Sequence, residues 1–97
     1  MPKPELTLAS RVVASPDQVS AALSGESVIL GMRDGVYYGV DTVGTRVWEL
    51  MTEPRTLGEI AGFIEAEFDV TPERAAADLL AFAQDLAEHG LITIVAA

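Results

Sequence analysis

The sequence predicts an α+β domain, with a small three-stranded antiparallel sheet followed by three helices. Three observations carry this. Two short apolar runs, Val28–Met32 and Val36–Val40, flank Asp34-Gly35, a short-range hairpin signal. From Asp41 onward the apolar residues recur with helical rather than strand period. Each helical stretch also opens on a side chain able to accept from free helix amides: Asp41 or Thr42, then Thr56, then Thr71. The 97 residues suit a single domain, and 49% apolar residues suffice for a modest core.

Residues 1–5 include Pro2 and Pro4 and are expected to form a flexible arm, leaving 6–97 as the folded domain. Leu6–Val13 alternates imperfectly but is rich in strand formers, which predicts the first strand. Residues 14–24 stay open at this level. Ser15-Pro16-Asp17 marks a turn or a helix start, and Val19, Ala22 and Leu23 suit a helical turn. The next strands, Val28–Met32 and Val36–Val40, should pair antiparallel across the hairpin. The second of these carries Tyr37 and Tyr38 and must leave the sheet at once for a helix. Such a strand is often an edge, with unpaired backbone groups on offer.

The first helix, Thr42–Met51, gathers Val43, Val47, Leu50 and Met51 on one face, and Glu53-Pro54-Arg55 ends it. Thr56 and Glu59 have the spacing of a capping box for the second helix, whose Leu57, Ile60, Ala61, Ile64 and Phe68 keep helical period. Thr71-Pro72-Glu73 opens the third helix with a cap, a proline where no amide partner is lost, and an acid at the positive end. That helix should run to His89 and stop at Gly90, and Leu91–Val95 is a strand-like tail with no partner assigned. The second and third helices, joined through Asp69-Val70, have a helix-turn-helix arrangement.

Composition excludes more chemistry than it offers. Six basic and fifteen acidic residues give a net charge of −9, which repels phosphate backbones and attracts basic partners. The third helix carries Glu73, Asp78, Asp85 and Glu88 against Arg74, Gln84 and His89, the wrong balance for a helix that reads DNA. There is no cysteine, no secretory signal and no run long enough to span a membrane, so a cytoplasmic protein is expected. The single histidine, His89, is placed to favour the negative end of the third helix. The acids are spread over helix surfaces, as with Glu65 and Glu67, so no metal site is expected. No base stands ready for a Ser or Thr nucleophile and no glycine-rich phosphate loop is present. Neither catalysis nor a cofactor is expected.

Two features remain for binding. On the third helix, Ala75, Ala76, Leu79, Leu80, Phe82, Ala83, Leu86 and Ala87 span roughly 160° at about 100° per residue. A core-facing stripe needs about 100° or a little more. Either this helix is central and covered on both flanks, or part of the stripe lines an open groove beside the tyrosine strand. On that strand Tyr38 and Val40 share one face, which is expected to be buried, and Tyr37 and Gly39 share the other. Trp48 reads as a core aromatic, and Tyr37 as the better contact residue because its phenol offers both apolar area and a polar tip.

The tyrosine strand, the run Val40-Asp41-Thr42-Val43-Gly44-Thr45-Arg46-Val47-Trp48-Glu49-Leu50, and Thr56-Leu57-Gly58-Glu59-Ile60 together resemble the PqqD-like family. Phe68-Asp69-Val70, Asp78-Leu79-Leu80-Ala81-Phe82 and Leu86–Ile92 extend the resemblance over about residues 27 to 94. Asp41 stands where many members have Asn, and either can cap a helix. Members are recognition elements for ribosomally made, post-translationally modified precursor peptides. Val70–Asp78 is most similar to the stand-alone leader-binding proteins of lasso-peptide biosynthesis, and Met32-Arg33-Asp34-Gly35 lacks the aromatic-Pro-Glu-Gly turn usual in the pyrroloquinoline quinone branch.

The resemblance implies a winged-helix-like fold of three strands and three helices. It implies a non-catalytic adaptor that holds a leader peptide as an added strand and presents it to a modifying enzyme or leader protease. Carried over, the peptide-binding positions are Val36, Tyr37, Tyr38, Gly39 and Val40 on the strand, and Ala75, Asp78, Leu79, Phe82 and Leu86 on the third helix. Asp78 and Asp85 are placed to meet a basic leader residue. The alternatives are a peptide chaperone of another pathway, such as that of pyrroloquinoline quinone, or a winged-helix regulator or dimerising scaffold.

Overall fold

The computed structural model describes residues 6–16, 18–23, 26–32 and 35–95. The expected arm at residues 1–5 and the Asp34 half of the hairpin turn lie outside the described residues. The elements run β1 (Arg11–Ala14), β2 (Gln18–Leu23), β3 (Glu26–Gly31), β4 (Tyr37–Val40), α1 (Thr42–Leu50), β5 (Arg55–Thr56), α2 (Leu57–Glu67), α3 (Pro72–Glu88) and β6 (Ile92–Val95). This is the expected α+β fold, but its strands are divided between two antiparallel three-stranded sheets, ordered β2-β3-β4 and β5-β1-β6.

Within the segment left open at residues 14–24, Gln18–Leu23 form strand β2, not a helical turn. It pairs with β3 from Gln18↔Gly31 to Leu23↔Glu26. Trp48 Nε1 in α1 donates to Ser20 Oγ at 3.2 Å, pinning the outer strand to the helix beneath. A continuous ladder satisfies every backbone group that faces β3, and one helical turn has no comparable compensation.

The expected first strand is shorter than its alternation implied. Residues 7–10 form a turn, with Ser10 N–H donating to Thr7 O at 3.0 Å and Thr7 N–H to Ser10 Oγ at 3.0 Å. β1 then joins the C-terminal tail rather than the hairpin, in register from Arg11↔Val95 to Ala14↔Ile92. The tail therefore has a partner from the far end of the chain.

The helix starts follow the sequence signals. Asp41 Oδ1 accepts from Gly44 N–H at 2.8 Å. Thr56 Oγ1 accepts from Glu59 N–H at 3.1 Å, while Glu59 reaches back to Thr56 N–H to complete the capping box. Thr71 Oγ1 accepts from Arg74 N–H at 3.2 Å, with Pro72 in the first turn. Gly90 closes α3 at φ +71°, a conformation that side chains disfavour. Gly44 is required for another reason. A Cβ there would stand 3.2 Å from both Asp41 Oδ1 and Val40 Cβ, so glycine lets the α1 N-terminus settle against the end of β4.

The core sits between the two sheets and the helices. Val12 of β1, Ile29 of β3, Trp48 and Leu50 of α1, Leu57 and Ile60 of α2, and Leu79 and Leu86 of α3 are all buried in one cluster. Trp48 is the core aromatic its sequence context implies. Along β3 the inward Ser27, Ile29 and Gly31 are buried, whereas outward Val28 and Leu30 are half-exposed. Leu30 lies between Val19 and Tyr37 in a cross-strand row, and these flanking residues are 56% and 71% exposed. The outer face of this sheet is thus an uncovered apolar surface. No helix among the described residues is long and apolar enough to cross a membrane.

Candidate functional site

β4 is the edge strand that its sequence implied, with β3 on one side and, among the described residues, no strand on the other. Gly31 N–H donates to Val36 O at 3.1 Å, which fixes the phase of the ladder. The alternation of antiparallel pairs makes Ile29–Tyr38 and Ser27–Val40 the hydrogen-bonded pairs. Tyr37 and Gly39 fall at the other positions, so their N–H and C=O groups point toward the free edge. The strand offers two donors and two acceptors to an extended chain laid beside it.

A cleft of about 610 Å³ runs along this strand. One wall is Tyr38, Gly39 and Val40, continued by Asp41, Val43, Gly44 and Val47 of the α1 start. The opposite wall is Ala75, Asp78, Leu79 and Phe82 of α3, with Ile64, Phe68, Asp69 and Val70 closing the end between α2 and α3. The wide apolar arc of α3 is explained by this arrangement. Ala75, Leu79, Ala83 and Leu86 are buried, while Phe82, one step around the helix, is half-buried and borders the cleft.

At the Tyr37 end of the strand, three side chains bridge the gap to α3. The Tyr38 ring is tilted against Phe82 with centroids 6.4 Å apart and meets His89 edge-on at 5.5 Å. Its hydroxyl lies within the field of the Asp85 carboxylate. Burial raises the Tyr38 pKa above its ordinary value, and the negative charges of Asp85 and Glu88 raise it further, which favours the neutral phenol. His89 is the C-cap residue of α3, the position the sequence assigned it.

The ten sequence-derived positions divide into three groups. Tyr38, Gly39, Val40, Ala75, Asp78, Leu79 and Phe82 line the cleft together. Tyr37 on the outer face and the exposed Val36 just before the strand do not line it. Leu86 is fully buried in the core and presents nothing to a ligand. Sequence reasoning left out Val43, Val47, Ile64, Phe68, Asp69 and Val70. Val43 and Val47 gave a usable signal: they share a helix face immediately after the edge strand, and Val43 remains exposed. Asp78, picked out for a basic ligand, accepts from Arg74 Nε at 2.9 Å one turn away in α3. Among the described residues no group of three or more His, Asp or Glu side chains could hold a metal ion.

The family model for Coenzyme PQQ synthesis protein D (PqqD) matches residues 26–92, which takes in the β3–β4 hairpin, the cleft and all three helices. The chain belongs to the PqqD family. Among solved structures, it is similar to "TbiB1 in Complex with the TbiA(beta) Leader Peptide", at 35% identity and TM-score 0.78, over 88% of this chain and 99% of that one. It also shares its fold with "Lasso peptide synthetase B1 complexed with the leader peptide", at 21% identity and TM-score 0.73, over 84% of this chain and 96% of that one. No curated protein matches the chain. Membership in the PqqD family accounts for the resemblance carried by the edge strand, the capped helices and the α3 motif.

Proposed function

We propose that this PqqD-family protein is a non-catalytic, cytoplasmic adaptor of lasso-peptide biosynthesis. It captures the leader segment of a ribosomal precursor as an added strand on β4 and presents it to a modifying enzyme or leader protease. The observation that carries this is the free edge of β4 beside an apolar cleft. An extended peptide there gains hydrogen bonds from Tyr37 and Gly39 and sets alternate side chains against Val40, Val43, Leu79 and Phe82. The likeness, over 88% of this chain, to a chain solved with a leader peptide supports the same occupant.

Presentation is supported by the outer face of the sheet. An added strand would extend the apolar surface of Val19, Leu30 and Tyr37 with its own outward side chains, offering a partner protein a composite of adaptor and substrate. The acidic surface argues against the regulator reading, which requires attraction to nucleic acid.

The test is a titration of the fluorescent leader of the precursor encoded beside this chain's gene, followed by anisotropy, with a labelled DNA duplex in parallel. Saturable leader binding and a flat duplex curve are expected. A flat leader curve would remove the adaptor reading, and a salt-sensitive duplex response would restore the regulator.

A further inference from the structure

The cleft carries charge of one sign. Asp41, Asp69 and Asp78 line it, Asp41 directly after Val40 and Asp78 one turn of α3 before the Phe82 that meets Tyr38. No Lys, Arg or His side chain lines it among the described residues. At the Tyr37 end, Asp85 and Glu88 set the potential felt by the Tyr38 hydroxyl. Between these ends the lining is apolar, chiefly Val40, Val43, Val47, Leu79 and Phe82. The cations beside this lining are already engaged, Arg74 by Asp78 and Arg46 by Glu67, whereas Asp69 has no ion-pair partner among the described residues. The whole chain adds a long-range field of net charge −9.

This inference rests on the strand-addition reading. A strand laid on β4 sends every second side chain into the cleft, about 6.8 Å apart. The four residues of β4 leave room for two such side chains in the apolar middle. The next inward position beyond Val40 falls at the acidic end. We propose that the captured segment is cationic there: two apolar side chains on alternate residues, followed by a Lys or Arg that meets Asp69 and Asp78. The apolar anchors supply most of the affinity. The acids select against acidic segments and speed encounter.

Three fluorescein-labelled synthetic peptides test this. All carry Leu at two alternate positions in a Ser/Thr background, and each flank holds Lys, Gln or Glu, so the direction of pairing does not matter. The Lys peptide should bind about three- to tenfold more tightly than the Gln peptide, the Glu peptide more weakly still. The gap should shrink as NaCl rises from about 0.05 to about 0.5 M. The double variant Asp69→Asn/Asp78→Asn should close most of the gap. Glu49→Gln/Glu53→Gln removes the same amount of charge from residues that do not line the cleft, and it should leave the gap in place.

Equal binding of the Lys and Gln peptides, or equal losses in the two double variants, overturns the charge assignment and leaves strand addition standing. If none of the three peptides binds, strand addition falls and the cationic assignment falls with it.

Discussion

The edges formed by β4 and β6 make an instructive pair. Each is a four-residue strand at the margin of a three-stranded sheet, and each is joined directly to a helix. By backbone alone they are equivalent templates for another strand. They differ in what stands beside them. β6 follows α3 immediately through Gly90 and lies against it, with Leu91 and Ile92 buried in the core. β4 runs into α1 instead, and α3 stands off from it across the 610 Å³ cleft, bridged at one end by Tyr38. An unpaired edge supplies hydrogen bonds that water can also make, whereas an unfilled apolar wall adds burial that water cannot. The comparison teaches that the cleft, not the free edge, makes β4 the binding strand.

The largest effect should come from closing that difference. Phe82→Asp places a charge on the half-buried wall of the cleft and should weaken leader binding by more than about 100-fold. Helical content by circular dichroism should be retained. Leu79→Asp is a poorer probe, because Leu79 is only 4% exposed and a charge there would unfold the core. Unchanged binding by Phe82→Asp would detach function from the cleft.

On the β6 side the expectation is reversed. Leu91→Ala empties a fully packed site and should cost about 2–5 kcal/mol of stability in urea melts. Leader affinity of the folded fraction should be unchanged. A large affinity loss there would couple the two sheets.

A matched pair of prolines weighs the edges themselves. Tyr37 and Ile94 both occupy non-hydrogen-bonded positions, since Ser15 N–H donates to Leu91 O at 2.9 Å and so sets the phase of the β1–β6 ladder. Proline at either removes only an outward donor. Tyr37→Pro should weaken leader binding by about 1 kcal/mol, or roughly fivefold in Kd, and Ile94→Pro should leave Kd unchanged. Equal effects by anisotropy would mean that β6 also takes a strand.

The smallest effect concerns the bridge. Because the Tyr38 pKa is raised in the fold, its contribution to stability is fully present below pH 10 and is lost as pH rises through the raised value. Urea midpoints should therefore fall as pH rises above about 10, and Tyr38→Phe should flatten that part of the profile. A profile identical in the variant would show that burial of Tyr38 beside Asp85 and Glu88 contributes nothing to it.

Local chemistry determined much of this protein from sequence alone. Asp41, Thr56–Glu59 and Thr71-Pro72 fixed three helix starts, and Gly90 fixed one stop, because each acts on amides or carbonyls within a few residues. The same locality made β4 readable as a short strand leaving its sheet, and the alternation of Tyr37 with Tyr38 separated its outer and inner faces.

What acts across the chain was not legible. Residues 18–23 carry a weak helical pattern and become a strand because β3 supplies a full ladder. β1 finds β6 some eighty positions away. The cleft wall contributed by Ile64, Phe68 and Asp69 depends on how far α3 stands from β4. That spacing is set by the packing of α2 on α3 and of α3 on β6. Only tertiary structure decides it, because the width of a gap belongs to the elements on both sides and is written in neither.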